Sequence, residues 1–401
     1  MTFDGNSRYW ANRTCSVADI ADIVERRIAA IAEIVANGEP KQAFDGFLAE
    51  MRASIDTSIT PDHAIELLAQ HSITAPVFDA LFEDYAFAGK NTISAALGQM
   101  TDVLRDKGGL DENFEELQSF CKSFTERIAE ITGTEARQKI IIELYNDFFK
   151  TAFPKLTDRL GIVYTPIEVV DFIINSVSDV LHAEFGRKLT DENVRIFDPF
   201  TGTGTFITRL LQSGLISKTD LTRKYKREIF ANELVLLAYH IACVNIENAY
   251  HDALGQKEYI PFGGLTLADT FQAWESNPHE LFPLNENAED ISRQNKPPIT
   301  LILGNPPYSV GQKSANDNAG NKSYPRIDEA IAGTYAAKSN ALAKRSLYDS
   351  YMRAFRFATD LLGGGDGIVC FVTNGAWLDG NAAVGFRKSI EIEYNKCFVY
   401  K

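Results

Sequence analysis

Four short apolar runs, each ending in a polar residue and each followed by a helical pattern, set the tightest limit on how this chain folds. They are "RIFDPF", "EIFANEL", "LTLADTF" and "LILGNPPY". Strands that alternate with helices pair in parallel, and the helices then cover both faces of one sheet. Further strands are predicted at "GIVCFVTNG" and "KCFVYK", with helices at "FITRLLQSG", "VLLAYHIACVNIENAY", "SLYDSYMRAFRFATDLL" and "AAVGFRKSIEIEYN". Residues 156–401 are therefore expected to form a doubly wound, mostly parallel α/β domain. In such sheets ligands bind outside the carboxyl ends of the strands. Asp198, Glu233, Asp269 and Asn305 fall at four such ends and define one candidate rim.

Residues 1–155 have a different pattern. "SVADIADIVERRIAAIAEIVANGEP" repeats apolar residues at helical spacing, with Ser16 placed to cap and Gly38 and Pro40 to stop it. "DENFEELQSFCKSFTERIAEI" and "TEARQKIIIELYNDFFKTAF" behave alike, so an all-helical domain is expected. The acid of the chain is concentrated here: residues 1–150 carry 14 Lys+Arg against 25 Asp+Glu. With a net charge of −14, the surface as a whole is a poor non-specific ligand for nucleic acid. Residues 310–360 reverse the balance, with 8 basic side chains against 5 acidic. Cys15, Cys121, Cys243, Cys370 and Cys397 are scattered without a CxxC pair. That spacing suits a reducing cytoplasm and neither a zinc site nor a disulfide framework. No signal peptide or membrane-spanning run is predicted.

At the rim, "DPFTGTGTF" carries Asp198 and Pro199 into a tight turn through Thr201, Gly202 and Gly204. Glycines let backbone approach a ligand, and the following helix N-terminus favours a negative group. The spacing is neither a dinucleotide fingerprint nor a P-loop. Asp198 would repel a pyrophosphate but suits an ammonium, leaving the turn amides for a carboxylate. Glu233 is placed for ribose hydroxyls and Asp269 for an adenine amino group. A ligand with an amino acid at one end and adenosine at the other is S-adenosylmethionine. Taken alone, the turn is equally well a plain strand–helix connection. Upstream, "YTPIEVVDF" predicts a helix with Thr165 at the N-cap, Pro166 at N1 and Glu168 completing a capping box.

Two consecutive prolines cannot continue a sheet, so Asn305-Pro306-Pro307-Tyr308 makes a rigid elbow at the end of its strand. An exocyclic amine on a base is a poor nucleophile, because its lone pair is delocalised into the ring. Two acceptors holding both amine hydrogens out of plane would free that pair. The Asn305 side-chain oxygen and the Pro306 carbonyl suit that task, and Pro307 stiffens the elbow. Tyr308 suits stacking on an extruded base. Catalysis by positioning of this kind needs no metal.

Read in order, "YTPIEVVDF", "DPFTGTGTF", "ANEL", "ADTF", "GNPPY" and "FVTNGAWL" resemble the gamma-class N6-adenine DNA methyltransferases. The wording is closer still to the coupler and methyltransferase region of Type ISP restriction-modification enzymes, with residues 75–155 resembling the helical coupler. The resemblance implies a Rossmann-like methyltransferase sheet and S-adenosylmethionine contacts from Thr165, Asp198, Gly202, Glu233 and Asp269. It also implies target-amine contacts from Asn305, Pro306 and Tyr308, and double-stranded DNA as the substrate. Nuclease-helicase and target recognition modules are expected to be supplied elsewhere. Because "KCFVYK" reads as the sixth strand, the domain is expected to be incomplete at its C-terminal side. Two other functions fit the elbow: methyl transfer to a protein amide, and a non-catalytic module that binds cofactor or partner.

Overall fold

The structure, a computed structural model, describes residues 17–55, 57–81, 92–110, 165–255, 260–275, 301–307, 323–342 and 344–400. It divides into two compact units, Met1–Ala53 with Thr57–Thr157 and Ser54–Asp56 with Asp158–Lys401. No helix among the described residues is long and apolar enough to cross a membrane.

The first unit is helical where it is described: α1 (Val17–Asn37), α2 (Lys41–Ser54), α3 (Pro61–Leu81) and α4 (Thr92–Gly108). Helices α1, α3 and α4 pack on one another. Ile23, Ile31, Leu68, Ile73, Leu97 and Leu104 supply buried apolar faces, as the helical spacing predicts. The two helices predicted at 111–131 and 134–153 lie outside the described residues.

The second unit opens with α5 (Ile167–Phe185) and continues β1 (Ile196–Asp198), α6 (Thr205–Gln212), α7 (Lys218–Arg227), β2 (Ile229–Glu233), α8 (Leu236–Leu254), β3 (Leu265–Leu267), α9 (Thr270–Glu275) and β4 (Leu301–Gly304). There follow α10 (Pro325–Ile331), a π-helical turn (Ala332–Ala336), a 3-10 turn (Arg345–Tyr348), α11 (Ser350–Leu362), β5 (Ile368–Phe371), α12 (Ala376–Asp379) and α13 (Val384–Glu393). The five strands form one sheet in the order β3-β2-β1-β4-β5, and every pairing is parallel.

Strands β1 to β4 are buried throughout, which explains their continuous apolar character, whereas the edge strand β5 is half-buried. One side of the sheet contributes Phe197, Phe230 and Ile302 to a core shared with Phe271, Tyr324 and Phe357. Helices α6 and α8 pack on each other, and α8 meets β2 and β3. Helix α5 packs on α6 and β5.

Two local expectations fail, and one helix was not expected. Helix α5 begins at Ile167 with Pro166 as its N-cap and no side-chain cap bond. Thr165 is thus one residue too early to cap, and its hydroxyl is used elsewhere. Residues 396–400 do not form the sixth strand. Lys396 Nζ instead pairs with Glu184 Oε1 on α5 at 2.6 Å, and the Tyr400 ring meets Phe172 edge-on at 4.9 Å. Side-chain contacts with a helix thus replace a strand ladder. Helix α7, "KTDLTRKYKR", went unread because its charge hides a buried face of Leu221, Lys224 and Tyr225. Lys224 Nζ donates to the carbonyls of Asp191 and Val194 at 2.5 and 2.7 Å, which makes its burial structural.

Gly385 shows how tightly α13 is seated on the π turn. A Cβ there would lie 1.8 Å from the Tyr335 carbonyl oxygen and 2.8 Å from the Ser339 nitrogen. Gly385→Ala is expected to destabilise the protein by roughly 1–3 kcal/mol through overpacking. A thermal melt checks this; an unchanged midpoint would mean that α13 is not held against that turn.

Candidate active site at the carboxyl ends of the strands

The strand order reverses between β1 and β4: chain order runs one way through β2 and β3 and the other way to β5. A crevice forms at such a switch point. Asp198 closes β1, Gly304 closes β4, and Asn305 follows it. The two ends touch: a Cβ on Gly304 would lie 2.6 Å from Asp198 Oδ1. Gly304 also has φ +156°, so a side chain there meets both a strained backbone and a filled space. The glycine before the elbow, which the sequence reading passed over, is what lets the two strand ends meet.

Asp198 is fully buried. Its Oδ1 accepts the Phe200 N–H at 3.1 Å, while Oδ2 has no hydrogen-bond partner among the described residues. Burial raises its pKa to about 8; the Phe200 amide opposes the rise and the charge of Glu233 adds to it. An orphaned acidic oxygen of this kind fits a cationic ligand group such as an ammonium.

The turn after Asp198 is fixed from several sides. Thr201 Oγ1 donates to the Asp198 carbonyl at 2.9 Å, and the Thr201 N–H reaches the Asn232 carbonyl at 3.0 Å. The Pro199 carbonyl accepts from Thr270 Oγ1 at 2.6 Å, and Asn245 Nδ2 donates to the Thr203 carbonyl at 2.9 Å. Gly202 and Gly204 have φ values of +58° and +83°. At Gly204 a Cβ would also come within 3.1 Å of the Ala242 Cα on α8, so this position needs glycine twice over.

Glu233 joins this turn to β2. Its Oε2 accepts the Gly202 N–H at 2.7 Å and its Oε1 the Val235 N–H at 2.7 Å. Burial raises its pKa to about 7 against the effect of the Val235, Gly202 and Leu234 amides. Asp269 follows β3 by two residues. Its Oδ1 accepts the Phe271 and Gln272 amides at 2.9 and 3.1 Å, and its Oδ2 accepts the Tyr324 hydroxyl at 2.9 Å.

At the elbow, Asn305 is half-buried, Pro306 buried and Pro307 exposed; Tyr308 lies outside the described residues. Asn305 Nδ2 donates to Thr165 Oγ1 at 3.0 Å. The rim thus brings Thr165, Asp198, Glu233, Asp269 and Asn305 to one edge of the sheet. Sequence reasoning missed Gly304, Asn245, Thr270 and Tyr324. Gly304 and Thr270 adjoin residues it singled out, whereas Asn245 and Tyr324 act across long sequence separations.

The chain belongs to the N-6 DNA methylase family, whose model matches residues 136–343. Residues 9–136 match the coupler domain of Type ISP restriction-modification enzymes, so the resemblance seen in the sequence is borne out. A nuclease-deletion mutant of the Type ISP restriction-modification enzyme LlaGI, in complex with a DNA substrate mimic, is 41% identical with a TM-score of 0.86. That match covers 94% of this chain and 31% of the other. The ATP-dependent Type ISP enzyme LlaBIII bound to DNA is 41% identical with a TM-score of 0.86, over 96% of this chain and 26% of that one. DrdV, in a DrdV–DNA complex, is 34% identical with a TM-score of 0.84, over 94% and 36%. The chain thus spans between 26% and 36% of the length of these proteins. No curated protein matches it. Membership of this family implies a methyl donor.

The raised carboxyl of Asp198 has a consequence for stability. Its pKa in the folded protein exceeds the unfolded value, so the folded state binds more protons between the two. Its contribution is therefore most favourable below the ordinary carboxyl range and declines as pH rises through about 8. Asp198→Asn is expected to flatten the fall in unfolding stability between pH 5 and about 8 relative to the parent chain. Denaturant titrations across that range test it; identical slopes for the two proteins would show that Asp198 is ionised in the empty fold.

Proposed function

We propose that this chain is the methyltransferase component of a DNA restriction-modification system, moving a methyl group from S-adenosylmethionine to the N6 of an extruded adenine at a specific site. The observation that carries this reading is the contact of two strand ends. Asp198, with one oxygen unpartnered among the described residues, lies against Gly304 at the foot of the Asn305 elbow, which supports holding a charged amino acid end and a planar amine at neighbouring strand ends. Family membership and the DNA complexes of LlaGI and LlaBIII support DNA over a protein amide.

In this reading Asp198 takes the cofactor ammonium, the turn through Pro199, Thr201, Gly202 and Gly204 takes its carboxylate, and Glu233 takes the ribose hydroxyls. Asp269 accepts from the adenine amino group of the cofactor. When bound, S-adenosylmethionine supplies an electrophilic methyl on a sulfonium. Asn305 Oδ1 and the Pro306 carbonyl accept the two hydrogens of the target amine and draw its lone pair out of the ring. Pro307 stiffens the elbow, and Tyr308 stacks on the base. Thr165, by accepting from Asn305 Nδ2, turns Oδ1 of the same amide toward the amine. Positioning carries the rate, and no metal is called for. Residues 1–155 act as a coupler and residues 156–401 as the methyltransferase domain. Cytoplasmic nuclease-helicase and target recognition modules complete the system.

Methyl transfer to adenine-containing duplexes, measured beside cofactor binding by calorimetry, tests the assignment. Asn305→Ala is expected to abolish transfer while cofactor affinity stays within about twofold, since Asn305 acts on the transition state. Thr165→Val removes one neutral hydrogen bond and is expected to slow transfer about fivefold, with Thr165→Ser near the parent rate. Methylation of protein amides with none of DNA would refute the substrate assignment. Appreciable turnover by Asn305→Ala would refute the role of the elbow.

A further inference from the structure

Tyr324 stands at the start of α10 with its ring buried, far in sequence from the residue its hydroxyl reaches. That hydroxyl donates to Asp269 Oδ2 at 2.9 Å. The amides of Phe271 and Gln272 hold Oδ1, so three donors from two elements fix the rotation of one carboxylate. Tyr324 is itself held on every side. Its N–H donates to Asp328 Oδ2 at 3.1 Å, and its ring meets Phe271 edge-on at 5.2 Å. The Arg353 guanidinium lies 5.1 Å from the ring centroid. Arg353 also grips Asp328 with both arms, at 2.8 and 3.0 Å. Arg353 and Asp328 thus brace Tyr324 at its ring and backbone, and the Tyr324 hydroxyl reaches the carboxylate that follows β3.

Asp269 alone has no need of so much support as a cap for the six-residue helix α9. Two backbone amides complete that cap through Oδ1. The Tyr324 bond does something further: it sets the plane in which Oδ2 presents its lone pairs. A carboxylate held in this way discriminates a ligand that offers an N–H from one that offers a carbonyl. The offered carbonyl would meet a like partial charge, and the buried acceptor would lose its donor.

We propose that Tyr324 is a positioning residue for base selectivity: its hydroxyl aims Asp269 at the exocyclic amino group of the cofactor's adenine. The inference rests on the cofactor assignment above and deepens it. It also ties adenine reading to a residue that comes after the Asn305 elbow in the chain.

Calorimetric titration of the full chain with S-adenosylhomocysteine and with S-inosylhomocysteine tests the proposal without turnover. The inosine compound carries a carbonyl in place of the amino group. The parent protein is expected to prefer the adenine compound by at least about tenfold. Tyr324→Phe keeps the ring and its packing. It is expected to weaken the adenine compound by about tenfold while changing the inosine compound by less than about twofold, so that selectivity collapses. In an Asp269→Asn background the same Tyr324→Phe change is expected to shift either affinity by less than about twofold, because its target is already altered. Equal losses for both ligands in Tyr324→Phe would reduce the residue to a packing role and overturn the proposal. So would unchanged selectivity, or full sensitivity to Tyr324→Phe in the Asp269→Asn background. A parent protein that binds neither ligand would instead overturn the cofactor assignment, and the proposal with it.

Discussion

Strands β1 and β4 run parallel with Ile196 opposite Leu301 and Phe197 opposite Ile302. That register carries Gly304 one residue past the level of Asp198 at the carboxyl edge, and the absence of a side chain on Gly304 lets the two come into contact. The arrangement of the site follows from this pairing. It brings a buried acid with one oxygen unpartnered among the described residues next to a strand that must stop, since Pro306 and Pro307 supply no N–H for a ladder. A one-residue slip in the register would turn every buried side chain of β4 to the opposite face, at the cost of the core around Ile302.

Around that contact, the polar groups form a graded series. Asp198 is left with an orphaned oxygen, Glu233 has backbone donors on both oxygens, and Asp269 is held by three donors. Burial raises Asp198 and Glu233 above the ordinary carboxyl range, to about 8 and about 7. The poorly satisfied end of the series is where a cation gains most, because there the protein holds an acid it does not itself neutralise. The well-satisfied end is suited to selecting a neutral group by direction.

Much of this was legible in the chain. Strands β1 to β4 stand out because buried parallel strands are largely apolar and each stops at, or within two residues of, a residue no core would choose: Asp198, Glu233, Asp269 or Asn305. What local patterns could not reveal depends on distant partners. The Thr165-Pro166 sequence has every mark of a capping box, yet the Thr165 hydroxyl bonds Asn305, 140 positions away. "KCFVYK" has strand composition, but Lys396 and Tyr400 find Glu184 and Phe172 on a helix. Tyr324 looks like any core aromatic until the fold brings Asp269 to its hydroxyl. Helix α7 shows the converse, since its charged surface concealed a buried stripe.

On the proposed reading, the raised Asp198 carboxyl is expected to be protonated at pH 7 in the empty fold and to become the counter-ion of a ligand ammonium on binding. Proton counting tests it most directly: S-adenosylmethionine is titrated into the protein at pH 7 in buffers of different ionisation enthalpy, and the observed heats are compared. With the Asp198 carboxyl at about 8 before binding, the account predicts release of about one proton per ligand bound, lost in Asp198→Asn. Binding with no proton release in the parent protein would show that Asp198 is already ionised or takes no part, and would contradict the account.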